Sequence, residues 1–143
     1  MAKGANILHK VERACAQMLA DASLSFSPTI YTGLDNEAVT LPAVVCAALS
    51  AAQAWEVPTG TFRVDVEIQV KEQADDTDED THEVNSQEVF NQFMHSACVA
   101  DLTAAVDDFM ANYAWGFSQR FETIERHYIT TLSFMLECGG NPN

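Results

Sequence analysis

The spacing of apolar residues along the chain switches between helical and strand-like periods. Ile7, Leu8, Val11, Ala14, Cys15, Met18, Leu19 and Ala22 recur at intervals of one, three and four. This predicts a helix of about four turns with one apolar face, leaving Lys10, Glu12, Arg13, Gln17 and Asp21 largely outside it. The next stretch, SFSPTIYTGLDNEAVTLP, is broken by Pro28, Gly33, Asp35–Asn36 and Pro42; it reads as turns, with a short strand over Thr29–Thr32. LPAVVCAAL is an apolar run that must be buried in any conformation. Val44, Val45 and Cys46 favour a central strand, whereas the alanines between Ala47 and Ala54 would tolerate a helix, and periodicity alone does not separate the two. Pro42 suits the first residue of a strand, so a strand is expected over Ala43–Leu49.

Beyond a turn at Pro58–Gly60 the pattern becomes a strict alternation. Phe62, Val64, Val66, Ile68 and Val70 point one way, and Arg63, Asp65, Glu67, Gln69 and Lys71 the other. That is the pattern of an antiparallel strand with one buried face. Helical spacing returns from Asp80 or Thr81 to Ala97, with Val89, Phe90, Phe93, Met94 and Ala97 on one side. Asp80 with Glu83, or Asn85 with Glu88, has the spacing of an N-cap and its reciprocal partner. VADLTAAVDDF reads as a further short helical piece. Near the C-terminus Tyr128, Thr130, Leu132, Phe134 and Leu136 alternate with Ile129, Thr131, Ser133, Met135 and Glu137. This predicts a long final strand, preceded by one or two shorter ones and ended by Gly139–Gly140. The element order predicts an α+β fold: a two-layer, mostly antiparallel sheet covered on one face by two amphipathic helices, as a single domain over residues 1–143.

Charge narrows the range of functions. The 143 residues are 48% hydrophobic and 20% charged, the composition of a globular chain. The charges are 21 acidic against 7 basic, a formal −14. Such a surface lacks the clustered Lys and Arg that grip phosphates, and it disfavours anionic membranes. The N-terminus has no continuous apolar core of signal-peptide length, and no run is long enough to span a bilayer. The four cysteines, Cys15, Cys46, Cys98 and Cys138, form no CxxC pair and sit among apolar neighbours. Reduced, buried thiols in a reducing cytoplasm are expected.

The acidic stretch Asp75–Asp80 invites a metal reading. Asp76-x-Asp78-x-Asp80 matches the first three ligand positions of an EF-hand. The match then fails, because Thr81 stands where glycine makes the sharp turn and Gln87 where a bidentate Glu is required. A solvated connector, its carboxylates favouring the positive end of the following helix, is the simpler expectation. His9, His82, His95 and His127 are isolated, without HxH, HxxxH or HExxH spacing; His82 is expected on the surface at a helix start. There is no GxSxG and no glycine-rich phosphate loop among six glycines. No catalytic residue, metal site or cofactor is assigned, and Trp55 and Trp115 are read as core or interface anchors.

The sequence of parts, a strand ending IYTG, LPAVVC, the alternating TFRVDVEIQVKEQADDTDED, the helix EVFNQFM, DLTAAVDDF and the aromatic strand HYITTLSFMLEC, resembles the tail terminator (tail completion) proteins of long-tailed bacteriophages across nearly the whole chain. The resemblance implies a non-enzymatic virion protein, assembled in the host cytoplasm. It would close into a homo-oligomeric ring, expected to be a hexamer. The ring would cap the tail tube protein and meet the head–neck connector protein. DNA would pass through its centre without specific binding. In that setting Asp75, Asp76, Asp78, Glu79 and Asp80 would face the lumen or the ring's axial surface, repelling the phosphate backbone, or else solvate the outer rim. Arg63, Asp65, Glu67 and Lys71, on the polar face of the long strand, would suit subunit contacts of mixed sign. The alternatives are another neck component (a head-closure or tail-tube subunit), a divalent-metal module centred on the 75–83 loop, and a small enzyme whose site assembles only in three dimensions.

Overall fold

A computed structural model describes residues 3–33, 40–54 and 60–139, with side chains from Ile7 onward. The expected turns at Asp35–Asn36 and Pro58, as well as Trp55 and Gly140, lie outside the described residues. The elements are α1 (Lys3–Ala22), β1 (Thr29–Thr32), β2 (Ala43–Gln53), β3 (Thr61–Gln73), α2 (Glu79–Asn91), α3 (Cys98–Ala105), β4 (Met110–Ile124) and β5 (His127–Gly139). The strands form one sheet in the order β1-β2-β3-β5-β4. β1 runs parallel to β2, and every other pair is antiparallel. The fold is the expected α+β arrangement; of the three described helices, α3 falls on the short helical piece expected at VADLTAAVDDF.

The alternation of β3 explains the layering. Val64, Val66, Ile68 and Val70 are fully buried and share one core with Val44 and Cys46 of β2 and Leu132, Phe134, Leu136 and Cys138 of β5. The stripe of α1 (Ile7, Val11, Ala14, Cys15, Met18, Leu19), Val89 and Phe90 of α2, and Cys98 and Leu102 of α3 close onto the same core. All three helices therefore lie on one face. Each large apolar side chain buried there contributes about 1.5–3 kcal/mol of transfer free energy. On the other face no helix packs among the described residues. Small residues are nevertheless shielded there: Val45 lies between Tyr31 and Gln69 in the register, and it is 2% exposed.

Three boundaries differ from the sequence expectation. The cap of α2 is Asp78, in extended conformation, whose Oδ1 accepts from the Thr81 N–H at 2.7 Å; Asp80 and Asn85 lie inside the helix. The helix stops at Asn91, short of Ala97. The N–H groups of Gln92 and Phe93 donate to the carbonyls of Val89 and Phe90, three residues back, which tightens the chain into turns. Phe93 remains in the core while Met94 is half out in solvent, so the apolar spacing outlasts the helix. Finally, β4 is a single 15-residue strand, not one or two shorter pieces. It is bent by irregularities at Ala111/Tyr113 and Trp115/Ser118, the second holding Gly116 at φ +72°, where a side chain would be strained.

Candidate functional site

The acidic connector between β3 and α2 stands exposed at one end of the sheet. Asp75, Asp76, Asp78, Glu79 and Asp80 are all on the surface. Asp78 is committed to capping α2, and hydrogen bonding from Thr81, side chain and backbone, holds its carboxyl below the ordinary aspartate value. Asp75 lies 3.5 Å from Arg126 Nη1 in the β4–β5 turn. The backbone N–H groups of Asp76 and Thr77 donate to Gln73 O at the end of β3, so the connector is a tight turn. Among the described residues no three His, Cys, Asp or Glu side chains gather as a metal would require. Asp76, Asp78 and Asp80 are thus adjacent in sequence without converging on one point.

The second set of expected residues lies on the face away from the helices. Arg63 and Asp65 are exposed, and Glu67 and Lys71 half-buried. Ser50 Oγ donates to Asp65 Oδ2 at 2.9 Å, tying β2 to β3 on that face. The outer rows also carry apolar groups: Ile129 and Met135 of β5 are half-buried, and Tyr113 of β4 is 60% exposed. Tyr113 and Trp115 meet with ring centroids 5.4 Å apart. This face mixes charge and aromatic surface and has no layer over it among the described residues.

A buried polar cluster lies where α2 meets the sheet. Glu72 continues the inward phase of β3, two residues after Val70, and is 4% exposed. Its Oε1 is 2.8 Å from His82 Nδ1, and its Oε2 accepts from Asn85 Nδ2 at 3.0 Å. His82 Nε2 lies 2.8 Å from Thr130 Oγ1 on β5 and 3.4 Å from Ser86 Oγ. With the carboxylate accepting from Nδ1–H, the Thr130 hydroxyl is placed to donate to Nε2. No buried side-chain polar atom among the described residues lacks a partner. His82, 1% exposed, is therefore a core residue and not the surface histidine expected from its place at a helix start.

Ser86, His82 and Glu72 have the membership of a nucleophilic relay, but the geometry favours a clamp. The nearer hydroxyl to Nε2 belongs to Thr130, in mid-strand, and Ser86 is inside α2, where its own N–H serves the helix. Thr130, His82 and Ser86 do reach the floor of a cleft of about 320 Å³, with Glu79, Glu83 and Arg120 among its lining. The sequence offered one signal for this cluster: the inward phase of β3 carried to Glu72. Glu72 on β3 and Thr130 on β5 are 10 and 48 residues from His82 along the chain, and no local motif links them.

The four cysteines are free and buried, as expected. Burial, followed by neighbouring acid, pushes the Cys98 thiol up to about 11, with Asp101 nearby, and Cys138 up to about 12, with Glu137 nearby. Cys15 and Cys46 are raised further by burial. None is poised as a nucleophile, which requires a lowered thiol pKa. No helix of the described residues is long and apolar enough to cross a membrane. Compared with known proteins, the chain matches no family model and no curated sequence.

Proposed function

We propose that the chain is a structural, non-enzymatic ring subunit of the tail-terminator kind. In this reading copies close into a ring, expected to be a hexamer, on the end of a long-tailed phage's tail tube, beneath the head–neck connector. DNA crosses the centre without being held. The observation that most supports it is the asymmetry of the molecule. Every described helix is on one face of the sheet, the opposite face has no layer on it among the described residues, and exposed carboxylates crowd one end. A sheet face bearing Tyr113, Ile129 and Met135 beside Arg63 and Asp65 suits contact with protein, while a surface of net −14 repels a polyanion.

The test is the mass of the purified protein by light scattering over a range of concentration, with and without chelator, followed by imaging with purified tail tubes. The expected result is a discrete hexamer, indifferent to chelator, seated at one end of the tube. A protein that stays monomeric and leaves tube ends bare overturns the proposal. A hexamer lost on chelation would instead assign the acidic connector to an interface metal.

A further inference from the structure

Among the described residues the sheet has two open edges, and their uncharged parts stand at the same end. β1 pairs only with Ala43–Cys46, so from Ala47 onward β2 has, among the described residues, a neighbouring strand on one side only. The N–H of Ala48 is taken by Glu12 Oε2 at 3.0 Å. Past the irregularity at Ala48/Ser50 the ladder phase is set by Ala54, whose N–H donates to Thr61 O at 3.0 Å. Ser50, Ala52 and Ala54 thus bond toward β3, while Ala51 and Gln53 turn their N–H and C=O groups outward. Leu49–Gln53 is exposed and contains neither charge nor proline, the two usual guards of an edge strand.

On the opposite edge β4 has, among the described residues, only the strand β5 beside it. Ala111 faces outward, since its N–H reaches Thr103 Oγ1 at 3.0 Å. Ala111 is opposite Cys138 and Ala114 opposite Leu136, which share one phase of β5, so Ala114 faces outward too. Beside this stretch runs a groove of about 450 Å³ lined by Phe93, Met94, Val99, Tyr113 and Phe117, among others, with no Asp, Glu, Lys or Arg in its walls. Two rows of the register connect the edges: Ser50–Asp65–Met135–Trp115 and Ala52–Arg63–Glu137–Tyr113. β2 and β4 also run in opposite directions, as three antiparallel pairings separate them.

We propose that the Leu49–Gln53 edge of one subunit pairs antiparallel with the Asn112–Phe117 edge of the next, joining the sheets into a continuous ring wall. This rests on the ring reading above and names its joint. Two copies of a −14 chain repel each other, so they can approach closely only where both surfaces are uncharged. Residues 43–54 and 109–119 contain no Asp, Glu, Lys or Arg, and each supplies one edge. A basic partner would be drawn to the acidic end of the sheet instead. Ala51 and Ala52 keep the β2 edge thin enough to lie along the groove. Two different edges meeting head to tail make a heterologous contact, which closes into a ring when the rotation permits.

The joint can be read by cross-linking. Ala52→Cys and Tyr113→Cys are made as separate chains, and Ser50→Cys and Trp115→Cys as a second pair, each treated with a short bismaleimide. The native cysteines are buried and stay silent. Either single variant alone should give no cross-link, the mixture only dimers, and both substitutions in one chain a ladder ending at the ring size. A second variant, Ala51→Pro, removes an outward N–H without taking a bond from β3. It should keep the circular dichroism spectrum of the parent while its association weakens at least ten-fold. A full-sized ring with no cross-link from either pair, or with Ala51→Pro associating normally, overturns the joint and leaves the ring reading standing. A single variant that cross-links to itself shows a two-fold contact and overturns the joint. A monomer with no cross-link overturns both.

Discussion

Glu72 occupies a position where β3 would otherwise carry an apolar side chain, and the contact between α2 and the sheet depends on how that carboxylate is satisfied. His82 and Asn85 approach it from α2, and Thr130 holds the far side of the imidazole from β5. A buried pair of this kind contributes little net stability against an apolar replacement, but removing one partner leaves the other desolvated and unpaired. His82→Ala should therefore cost about 3 kcal/mol in denaturant unfolding, since it strips a donor from a 4%-exposed carboxylate. Ser86→Ala should cost less than about 1 kcal/mol, because its contact with Nε2 is 3.4 Å long and Thr130 already serves that nitrogen. Equal losses from the two variants would overturn the clamp assignment and return Ser86 to consideration as a working hydroxyl. At this scale the sequence was only partly legible. The alternation from Phe62 to Val70 continues to Glu72 by simple parity, whereas the burial of His82 depends on a strand 48 residues away.

At the scale of elements, the long alternating strands were legible because period two, sustained over many residues, has one structural solution. The turn between β4 and β5 was not. Glu125 and Arg126 connect Ile124 to His127 with both φ values positive, +47° and +68°, which is the backbone of a two-residue hairpin that favours Asn-Gly. Neither residue signals a turn, so the sequence before the final strand reads as one or two shorter strands. The missing turn chemistry leads to a prediction. Glu125→Asn with Arg126→Gly should raise stability by about 1 kcal/mol, measured as a higher denaturant midpoint at unchanged slope. The ion pair lost between Arg126 and Asp75 is exposed and 3.5 Å long, so it offsets little. The N–H of Ala74 bonds to the carbonyl of Arg126 at 2.7 Å, a backbone contact that glycine retains. A lower midpoint would mean that the side chains at the turn matter more than its φ values. Helix ends followed the same rule: α2 kept its apolar spacing past Asn91 because Phe93 is buried by a turn as readily as by a helix.

For the whole molecule, the edge-to-edge joint and the acidic connector constrain each other. The proposed joint uses the end of the sheet where β3 begins, and Asp75–Asp80 follow the end of β3, so the carboxylates lie at the opposite end. In a ring whose wall is the joined sheet, that end is an axial rim, and copies of the connector would converge around the opening. Duplex DNA carries roughly one charge per 1.7 Å of axis, so such a rim acts as an electrostatic collar. Reversing it should turn repulsion into retention. Asp76→Lys with Asp80→Lys replaces two exposed acids that neither cap α2 nor pair with Arg126. Rings of this variant should retain duplex DNA in a mobility shift at about 50 mM salt and release it steeply as salt rises, while the parent ring leaves DNA free. The control is the same reversal in the Ala51→Pro background, held at a concentration where light scattering shows monomer and the rim is not assembled. If the collar is real, the monomer binds at least ten-fold more weakly than the ring. Equal binding per subunit in the two states would place the acids on the outer rim, where they keep the particle soluble and do nothing to the DNA.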